Sequence, residues 1–325
     1  MEGPRGSGSE GRPPRDGAAP NDHAAADADS MPDREIAPCR LPDGRVMSAA
    51  EFGDRTGRPV LILDGAGSRL QGRLGRQIGQ DHQIRLVTPD RPGFFRSTTD
   101  PDATFTSVAD DLCVLLDHMD LADVGVLGLS GGTAFACTLA ARHPDRVSRF
   151  GLLGPIAPID DVGGTEGMDA ATRLAFVLGR YAPWLLQGLM TAVRWQTRRN
   201  PVTAAEQFTR LRPPPDQDVI LRDDVWPILL ASFPDVSAAP AADAHEFTLM
   251  AAPWPIDPAT IAAPTKVWAG GADTVHPPHH AEWLADRIPT ATLDVAPHVG
   301  IFGWLDDYPR ILGWAAGDAQ PEGTD

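Results

Sequence analysis

Three residues spread along this chain, Ser130, Asp273 and His298, are of the types that together cleave carbonyl compounds. Serine alone is a weak nucleophile, but a histidine with a pKa near ~6.5 can take its proton and later give that proton to a leaving group. An aspartate on the other ring nitrogen fixes the histidine tautomer and stabilises the imidazolium. In this chain order the residues supply a nucleophile, an orienting acid and a base, which predicts catalysis through a serine.

The serine lies in the stretch Gly128-Leu-Ser-Gly-Gly132, between an apolar run that predicts a strand and small residues that predict a helix from about Thr133. Such a sharp turn lifts the hydroxyl above the sheet and directs the helix N-terminus, which favours negative charge, at it. Gly128 and Gly132 lack the Cβ atoms that would collide as the strand and the helix fold back on each other. This context favours a nucleophilic serine over a buried serine in a glycine-rich turn.

Alternating strands and helices have to position these residues. Short apolar runs predict strands at 59–63, 84–89, from 124 to the serine, 147–153, 265–269 and 291–295, after an opening hairpin around 42–44. Helical spacing of apolar residues predicts helices at about 69–80, 106–119, 278–287 and 301–316. The alternation implies an α/β fold with a mostly parallel sheet of about eight strands and helices on both faces.

The three candidate residues each follow the carboxyl end of a predicted strand. In an open parallel sheet the loops at that edge form a crevice where ligands bind. We therefore expect Ser130, Asp273 and His298 to converge there. Asp160 and Asp161 also follow a strand, and they are the alternative positions for the acid.

Between residues 154 and 258 the strand-like runs give way to helical ones, which predicts an inserted helical cap. Leu174, Val177, Leu178 and Tyr181 fall on one helical face, which we expect to pack against the core. The α/β core would then comprise 35–153 and 259–317. Residues 1–34 are rich in Gly, Pro, Ala, Asp and Arg and predict a disordered tail, and 318–325 predict a flexible C-terminus.

Composition narrows the class of protein. A net charge of −16 with 42% hydrophobic residues favours a globular protein with a small-molecule substrate over one that binds nucleic acid or an anionic membrane. Three widely spaced cysteines form no disulfide pattern, and no signal segment precedes the fold, so we expect a cytoplasmic location. The oligomeric state is left open.

A metal site is the competing interpretation of the histidines near Asp273. His276, His279 and His280 could join that carboxylate as ligands. Two prolines separate them at a predicted helix start and no second ligand cluster is visible, so we expect no metal and no cofactor.

Several stretches, taken in order, resemble the α/β-hydrolase family over roughly residues 35–317. These are Asp90-Arg-Pro-Gly-Phe94, Gly128-Leu-Ser-Gly-Gly132, Ala141-Arg-His-Pro-Asp-Arg-Val147, Gly271-Ala-Asp273 and His298. The resemblance implies a Ser130–His298–Asp273 triad beneath a helical lid between the sixth and seventh strands. It also implies an oxyanion hole from the backbone N–H groups of Gly131 and Ala66, each donor being worth about 3 kcal/mol in the transition state.

The chain departs from that family at Asp64-Gly65, where the early loop usually reads His-Gly. A carboxylate beside an oxyanion hole opposes the charge that the hole must hold. It must therefore point away, pair with Arg69 or Arg91, or stay protonated.

The main hypothesis is a serine hydrolase that cleaves an ester, lactone, thioester or amide bond of a small hydrophobic substrate through an acyl-enzyme on Ser130. Asp64 motivates an alternative, a cyclase or small-molecule binding module that keeps the fold without hydrolysis. A third hypothesis is a cofactor-free perhydrolase, since the same triad can act on peroxide and a carboxylic acid.

Overall fold

A computed structural model describes residues 33–318 of the chain, apart from the side chain of Ala66. In that part of the chain the strands are β1 (Arg34–Glu35), β2 (Cys39–Arg40), β3 (Val46–Met47), β4 (Ala49–Gly53), β5 (Arg58–Leu63), β6 (Ile84–Pro89), β7 (Val124–Ser130), β8 (Val147–Pro155), β9 (Thr265–Gly270) and β10 (Ala291–Ala296). The α-helices are α1 (Leu70–Leu74), α2 (Arg76–Asp81), α3 (Phe105–His118), α4 (Thr133–Arg142), α5 (Ala170–Tyr181), α6 (Pro183–Arg199), α7 (Pro201–Arg210), α8 (Pro214–Ile220), α9 (Trp226–Ser232), α10 (Pro240–Met250), α11 (Pro278–Arg287) and α12 (Tyr308–Ala315).

One sheet of eight strands runs through the described residues in the order β1-β4-β6-β5-β7-β8-β9-β10. β4 pairs with β1 and β6 in antiparallel fashion, and the pairs from β6 onward to β10 are parallel. β2 and β3 form a separate small hairpin around the predicted turn at 42–44. The predicted α/β fold with a mostly parallel sheet of about eight strands is confirmed.

Helices cover both faces of the sheet because its central strands are apolar on both sides. In β7, Val126 packs into the core beneath α3, α4 and α11, and its neighbour Leu127 packs into the core beneath α12. Alternation of successive side chains across a strand produces these two cores. β7 is flanked by β5 and β8, so Ser130 leaves the sheet near its middle.

Two predicted helices are interrupted in the structure. The helix expected at 69–80 is divided into α1 and α2 at Gly75, where a Cβ would lie 2.7 Å from Leu86 Cδ1. The helix expected at 301–316 begins as a 3₁₀ turn at Gly303–Leu305 before α12. By contrast, α3 follows its prediction closely, since Thr104 and Ser107 form a capping box at its start.

Helices α5 to α10, which we call the cap (170–250), all lie between β8 and β9 and inside the predicted range 154–258. The expected buried face of α5 was wrong, because Leu174, Val177 and Tyr181 are exposed. α5 instead turns Phe176 inward, where its ring meets that of Phe247 on α10 edge to face. The apolar spacing therefore located the helix correctly without identifying which face is buried.

The two ends of the chain were predicted to be disordered or flexible. Residues 1–32 and 319–325 lie outside the described residues. Asp33 and Arg34 belong to the folded part, since Asp33 accepts hydrogen bonds from Arg73 and Arg34 begins β1. Within 33–318 no helix combines the length and the apolar character needed to cross a bilayer.

Candidate active site

Ser130 sits at the end of β7 in a strained backbone conformation, with φ at +49°. Non-glycine residues rarely adopt this left-handed region, and such strain collects at functional sites. The close packing around the turn requires glycine at two positions. A Cβ on Gly132 would lie 1.9 Å from the Leu63 carbonyl oxygen, and one on Gly128 would lie 2.6 Å from Ala136 Cβ.

A histidine ring lies directly beside the Ser130 hydroxyl, and it belongs to His276. The distance from His276 Nε2 to Ser130 Oγ is 2.8 Å, and His276 Nδ1 lies 2.9 Å from Asp273 Oδ2. The ring is 2% exposed, so both contacts are shielded from water. Serine hydroxyl, imidazole and carboxylate therefore form one continuous chain of hydrogen-bond distances, as nucleophile activation requires.

One loop after β9 supplies both the carboxylate and the imidazole. Asp273 Oδ1 accepts hydrogen bonds from the backbone N–H groups of Val275 at 2.7 Å and of His276 at 2.9 Å. An aspartate that bonds to the backbone two and three residues ahead folds the chain into a tight turn, which leaves its second oxygen free for the ring. Burial alone would raise the pKa of Asp273, but the His276 ring and these N–H groups hold it below its ordinary value.

The sequence prediction assigned the base to His298, and the structure corrects it. His298 lies in the exposed turn after β10, and none of the hydrogen bonds described for residues 33–318 joins it to Ser130 or Asp273. This turn approaches the end of β9 through its backbone, since a Cβ on Gly271 would lie 2.7 Å from the Pro297 carbonyl oxygen. The position beside Ser130 is occupied instead by His276, from the loop after β9.

None of the hydrogen bonds described for residues 33–318 joins the side chains of the alternative acids to the active-site residues. Asp160 and Asp161 are both exposed, and Asp160 pairs with Arg180 on α5. Of the sequence-predicted triad, the structure thus brings Ser130 and Asp273 to one imidazole, and that imidazole is the one weighed earlier only as a metal ligand.

The predicted oxyanion-hole residues lie on the two loops that meet at Ser130. Gly131 follows the serine, and Ala66 lies in the 3₁₀ turn Gly65–Gly67 after β5. Gly65 is packed so tightly against the serine that a Cβ there would lie 2.9 Å from Ser130 Oγ and 3.5 Å from the Gly131 nitrogen. The early loop therefore lies beside Ser130 and Gly131, and the oxyanion-hole roles of Gly131 and Ala66 stay predictions.

Asp64, the departure from the family pattern, directs its carboxylate into its own loop. Oδ1 accepts from the Gly65 N–H at 2.8 Å, and Oδ2 accepts from the Gln71 N–H at 3.0 Å. Arg91 donates to the backbone carbonyl of Asp64 rather than to the carboxylate, and Arg69 pairs with Asp90. Burial raises the pKa of Asp64 to about 6 despite these donors, so the group is largely ionised at neutral pH. Asp64 is a structural cap for the loop.

A cavity of about 190 Å³ adjoins the serine. Ser130 and Gly131 form its floor, and Phe176, Phe247 and Met250 of the cap supply apolar walls. Two carboxyl groups of α10, Asp243 and Glu246, also line it. A mostly apolar cavity with a few polar groups beside Ser130 is the candidate substrate site.

No cluster of three or more histidine, cysteine, aspartate or glutamate side chains suited to a metal ion occurs in the described part of the chain. His280 is fully buried, and its Nδ1 lies 3.1 Å from the Ala157 nitrogen. Burial, followed by the neighbouring His279 and His276, lowers the pKa of His280 to about 3. This histidine is thus a neutral core residue.

Comparison with known proteins follows from this geometry. A family model described as alpha/beta hydrolase fold matches residues 59–307, which is more than half of the chain. The chain belongs to the alpha/beta hydrolase fold family.

This alpha/beta hydrolase is similar to curated hydrolases, with modest sequence identity to each of them. It is 28% identical over 266 residues to a 2-hydroxymuconate semialdehyde hydrolase of Pseudomonas putida, which covers 78% of this chain and 84% of the relative. It is 28% identical over 230 residues to a putative carbamate hydrolase of Caulobacter sp. (strain K31), and this match covers 67% of this chain and 74% of the relative. A match to an uncharacterized hydrolase of Bacillus subtilis (strain 168), 26% identical over 96 residues, spans about a third of each protein, 30% and 34%.

Solved structures share the fold of this alpha/beta hydrolase. An enol-lactonase from Burkholderia xenovorans LB400 aligns with a TM-score of 0.61 at 20% identity, over 87% of this chain and 100% of the other. A thermophilic esterase from Thermogutta terrifontis aligns with a TM-score of 0.58 at 24% identity, over 87% and 96%. The expected hydrolase class is confirmed at the level of the family.

Proposed function

We propose that the chain is a serine hydrolase that cleaves an ester, lactone, thioester or amide bond of a small, largely apolar substrate through an acyl-enzyme on Ser130. The observation that carries the proposal is the 2.8 Å separation of His276 Nε2 and Ser130 Oγ, with Asp273 on the other ring nitrogen. The hydrolase names of the relatives agree with this class.

In the first half-reaction Ser130 Oγ forms a bond to the substrate carbonyl carbon while its proton passes to His276 Nε2. The carbonyl electron pair moves onto oxygen, where the N–H of Gly131 and, in our prediction, that of Ala66 stabilise it. The tetrahedral species collapses, the bond to the leaving group breaks, and His276 returns the proton to that group. Water then loses a proton to His276 and attacks the acyl carbon, which releases the acid and restores Ser130.

Asp273 acts as the orienting acid in this scheme. Its carboxylate keeps the proton of the neutral ring on Nδ1, which leaves the Nε2 lone pair directed at Ser130. Its depressed pKa keeps it ionised throughout the neutral range. The reason for preferring a cyclase or a binding module was Asp64, and that reason loses force because the carboxylate caps its own loop.

The test compares two histidines of the same protein with 4-nitrophenyl butanoate as the substrate. We expect His276→Ala to lose about a thousandfold or more in kcat, as does Ser130→Ala. His298→Ala, the matched control at an exposed position, should stay within about twofold of the native enzyme. A fluorophosphonate probe should label the native protein and the His298 variant but not the Ser130 variant. Full activity in His276→Ala with collapse in His298→Ala would reject this assignment.

We also propose a cytoplasmic location. Cys39, Cys113 and Cys137 are all free thiols in the structure, which agrees with a reducing compartment. Cell fractionation with an antibody to the native protein is the measurement, and recovery in the secreted fraction would contradict it.

A further inference from the structure

The cavity beside Ser130 contains a carboxyl group that the hydrolytic mechanism does not use. Asp243 on α10 is 4% exposed, and its Oδ2 atom is buried without a hydrogen-bond partner among the described residues. The same residue lines the cavity that Ser130 also lines. Buried polar groups are normally hydrogen-bonded, so an unpartnered carboxyl on the wall of a substrate cavity points to recognition of a polar substrate atom.

The neighbouring ionised groups are committed to each other and do not satisfy Asp243. Arg91, on the loop after β6, donates from Nε and Nη2 to the two carboxylate oxygens of Glu246. Its Nη1 donates to the backbone oxygen of Asp64 at 2.8 Å. Each guanidinium nitrogen of Arg91 therefore already donates a hydrogen bond, and none of these bonds goes to Asp243. The charge of Glu246 is neutralised by Arg91.

These surroundings decide the protonation state of Asp243. Burial, followed by the charge of Glu246 on the same helix, raises the pKa of Asp243 to about 8, although Arg91 opposes the shift. Asp64, on the loop after β5, contacts the same arginine through its backbone oxygen. At neutral pH the carboxyl group therefore keeps its proton and can donate a hydrogen bond. Rotation about χ2 exchanges its two oxygens, so either one can carry that proton toward the cavity.

We propose that Asp243 determines specificity by donating a hydrogen bond from its protonated carboxyl group to a neutral oxygen acceptor, an ether or keto oxygen, on a short acyl group. The proposal rests on the proposed function, since it takes the cavity as the acyl site. The cavity is small, at about 190 Å³, and we therefore take a short acyl group as its occupant. An acyl carboxylate would meet the paired Glu246 and is disfavoured.

The test uses three 4-nitrophenyl esters whose acyl groups have nearly the same shape. Butanoate is the apolar reference, methoxyacetate places an ether oxygen in the chain, and the β-alanine ester places an ammonium group at its end. Each preference is expressed as a ratio of kcat/KM values relative to butanoate. Comparing that ratio between native and variant enzymes cancels the intrinsic reactivity of the esters.

Three variants separate hydrogen bonding from packing. Asp243→Asn keeps an N–H donor of similar shape, and Asp243→Leu removes the donor while filling the space. Thr172→Val, which removes another polar group from the cavity wall, is the matched control. We expect Asp243→Leu to lower the methoxyacetate preference, expressed relative to butanoate in the same variant, about tenfold. Asp243→Asn and Thr172→Val should keep most of the preference.

The pH dependence adds a readout that packing alone does not change. In the native enzyme the methoxyacetate preference should fall above about pH 8, because an ionised Asp243 can no longer donate. In Asp243→Asn the preference should be constant from pH 6 to pH 9.5. A native preference that does not change with pH, or that survives in Asp243→Leu, would overturn the proposal.

The remaining outcomes are also decisive. A preference for the β-alanine ester that is lost in both Asp243 variants would replace the proposal by recognition of a cation through an ionised Asp243. Ser130-dependent butanoate turnover with no effect of Asp243 would overturn this inference and leave the proposed function intact. Ester turnover that does not depend on Ser130 would overturn the proposed function itself.

Discussion

His276 Nε2 lies 2.8 Å from Ser130 Oγ although 146 residues separate the two along the chain, whereas only three residues separate His276 from Asp273. The acid and the base therefore come from one loop after β9, and the nucleophile is the last residue of β7. Because Asp273 caps the backbone of the same turn that carries His276, one short turn fixes both side chains.

Asp273→Asn tests the orienting role of the carboxylate. An asparagine can still cap Val275 through its oxygen, but its amide nitrogen then faces His276 Nδ1 and favours the tautomer that is protonated on Nε2. That tautomer cannot accept the Ser130 proton, so kcat should fall by about 10⁴-fold with little change in KM. Steady-state kinetics with a thermal melt as the folding control measure this. Native activity in a folded variant would contradict the role.

Gly132→Ala tests the packing of the serine turn. The added Cβ would lie 1.9 Å from the Leu63 carbonyl oxygen, and backbone cannot move aside cheaply. We expect a loss of at least about 3 kcal/mol in the free energy of unfolding, or failure to fold. Gly188→Ala is the control, because nothing lies within 4 Å of its added Cβ on the exposed face of α6. That change should stabilise the protein by about 0.5–1 kcal/mol in urea unfolding.

Glu246→Gln tests the ion pair that joins the cap to the core. Arg91 and Glu246 are both buried, and removing one partner leaves an uncompensated charge. The free energy of unfolding should fall by about 3–5 kcal/mol. Asp160→Asn removes the carboxylate from an exposed pair with Arg180 and should leave stability unchanged within error. Equal effects of the two substitutions in urea titrations would show that the buried Arg91–Glu246 pair stabilises the fold no more than the exposed pair does.

Asp243→Asn should also change how stability depends on pH. Because burial raises the folded pKa of Asp243 from its model-compound value of 3.8 to about 8, the folded state holds a proton that the unfolded state releases. Native stability attributable to this group is therefore complete below about pH 4 and declines through pH 8. Relative to the native protein, the variant should gain a few kcal/mol in the free energy of unfolding between pH 5 and pH 9. Parallel curves for the two proteins would contradict the shift.

The strands of the core were predictable because buried parallel strands are continuous apolar runs closed by turn residues. β5 illustrates this, since the apolar run Pro59-Val-Leu-Ile-Leu63 makes up all of the strand except its first residue, Arg58. The buried face of α5 was not predictable in the same way. Exposed apolar residues such as Tyr181 have the same spacing as buried ones would have. Which face of α5 is buried depends on the packing of Phe176 against α10.

The site was predictable as far as strand ends position it. Ser130 and Asp273 were identified from their place after β7 and β9, whereas the same rule selected His298 after β10. His276 was missed because it follows no strand directly. The signal was its spacing from Asp273, since an aspartate that caps the next turn directs the side chain three residues ahead back toward itself.

The turn at Pro297–His298 takes no part in proton transfer in this arrangement, although it adjoins the loop that contains His276. A dye attached through a cysteine at position 298 would sit in solvent while the groups around Ser130 stay native. Among the described residues from β10 to 318, Trp304 and Ile311 contribute packing, since both belong to the core beneath α12.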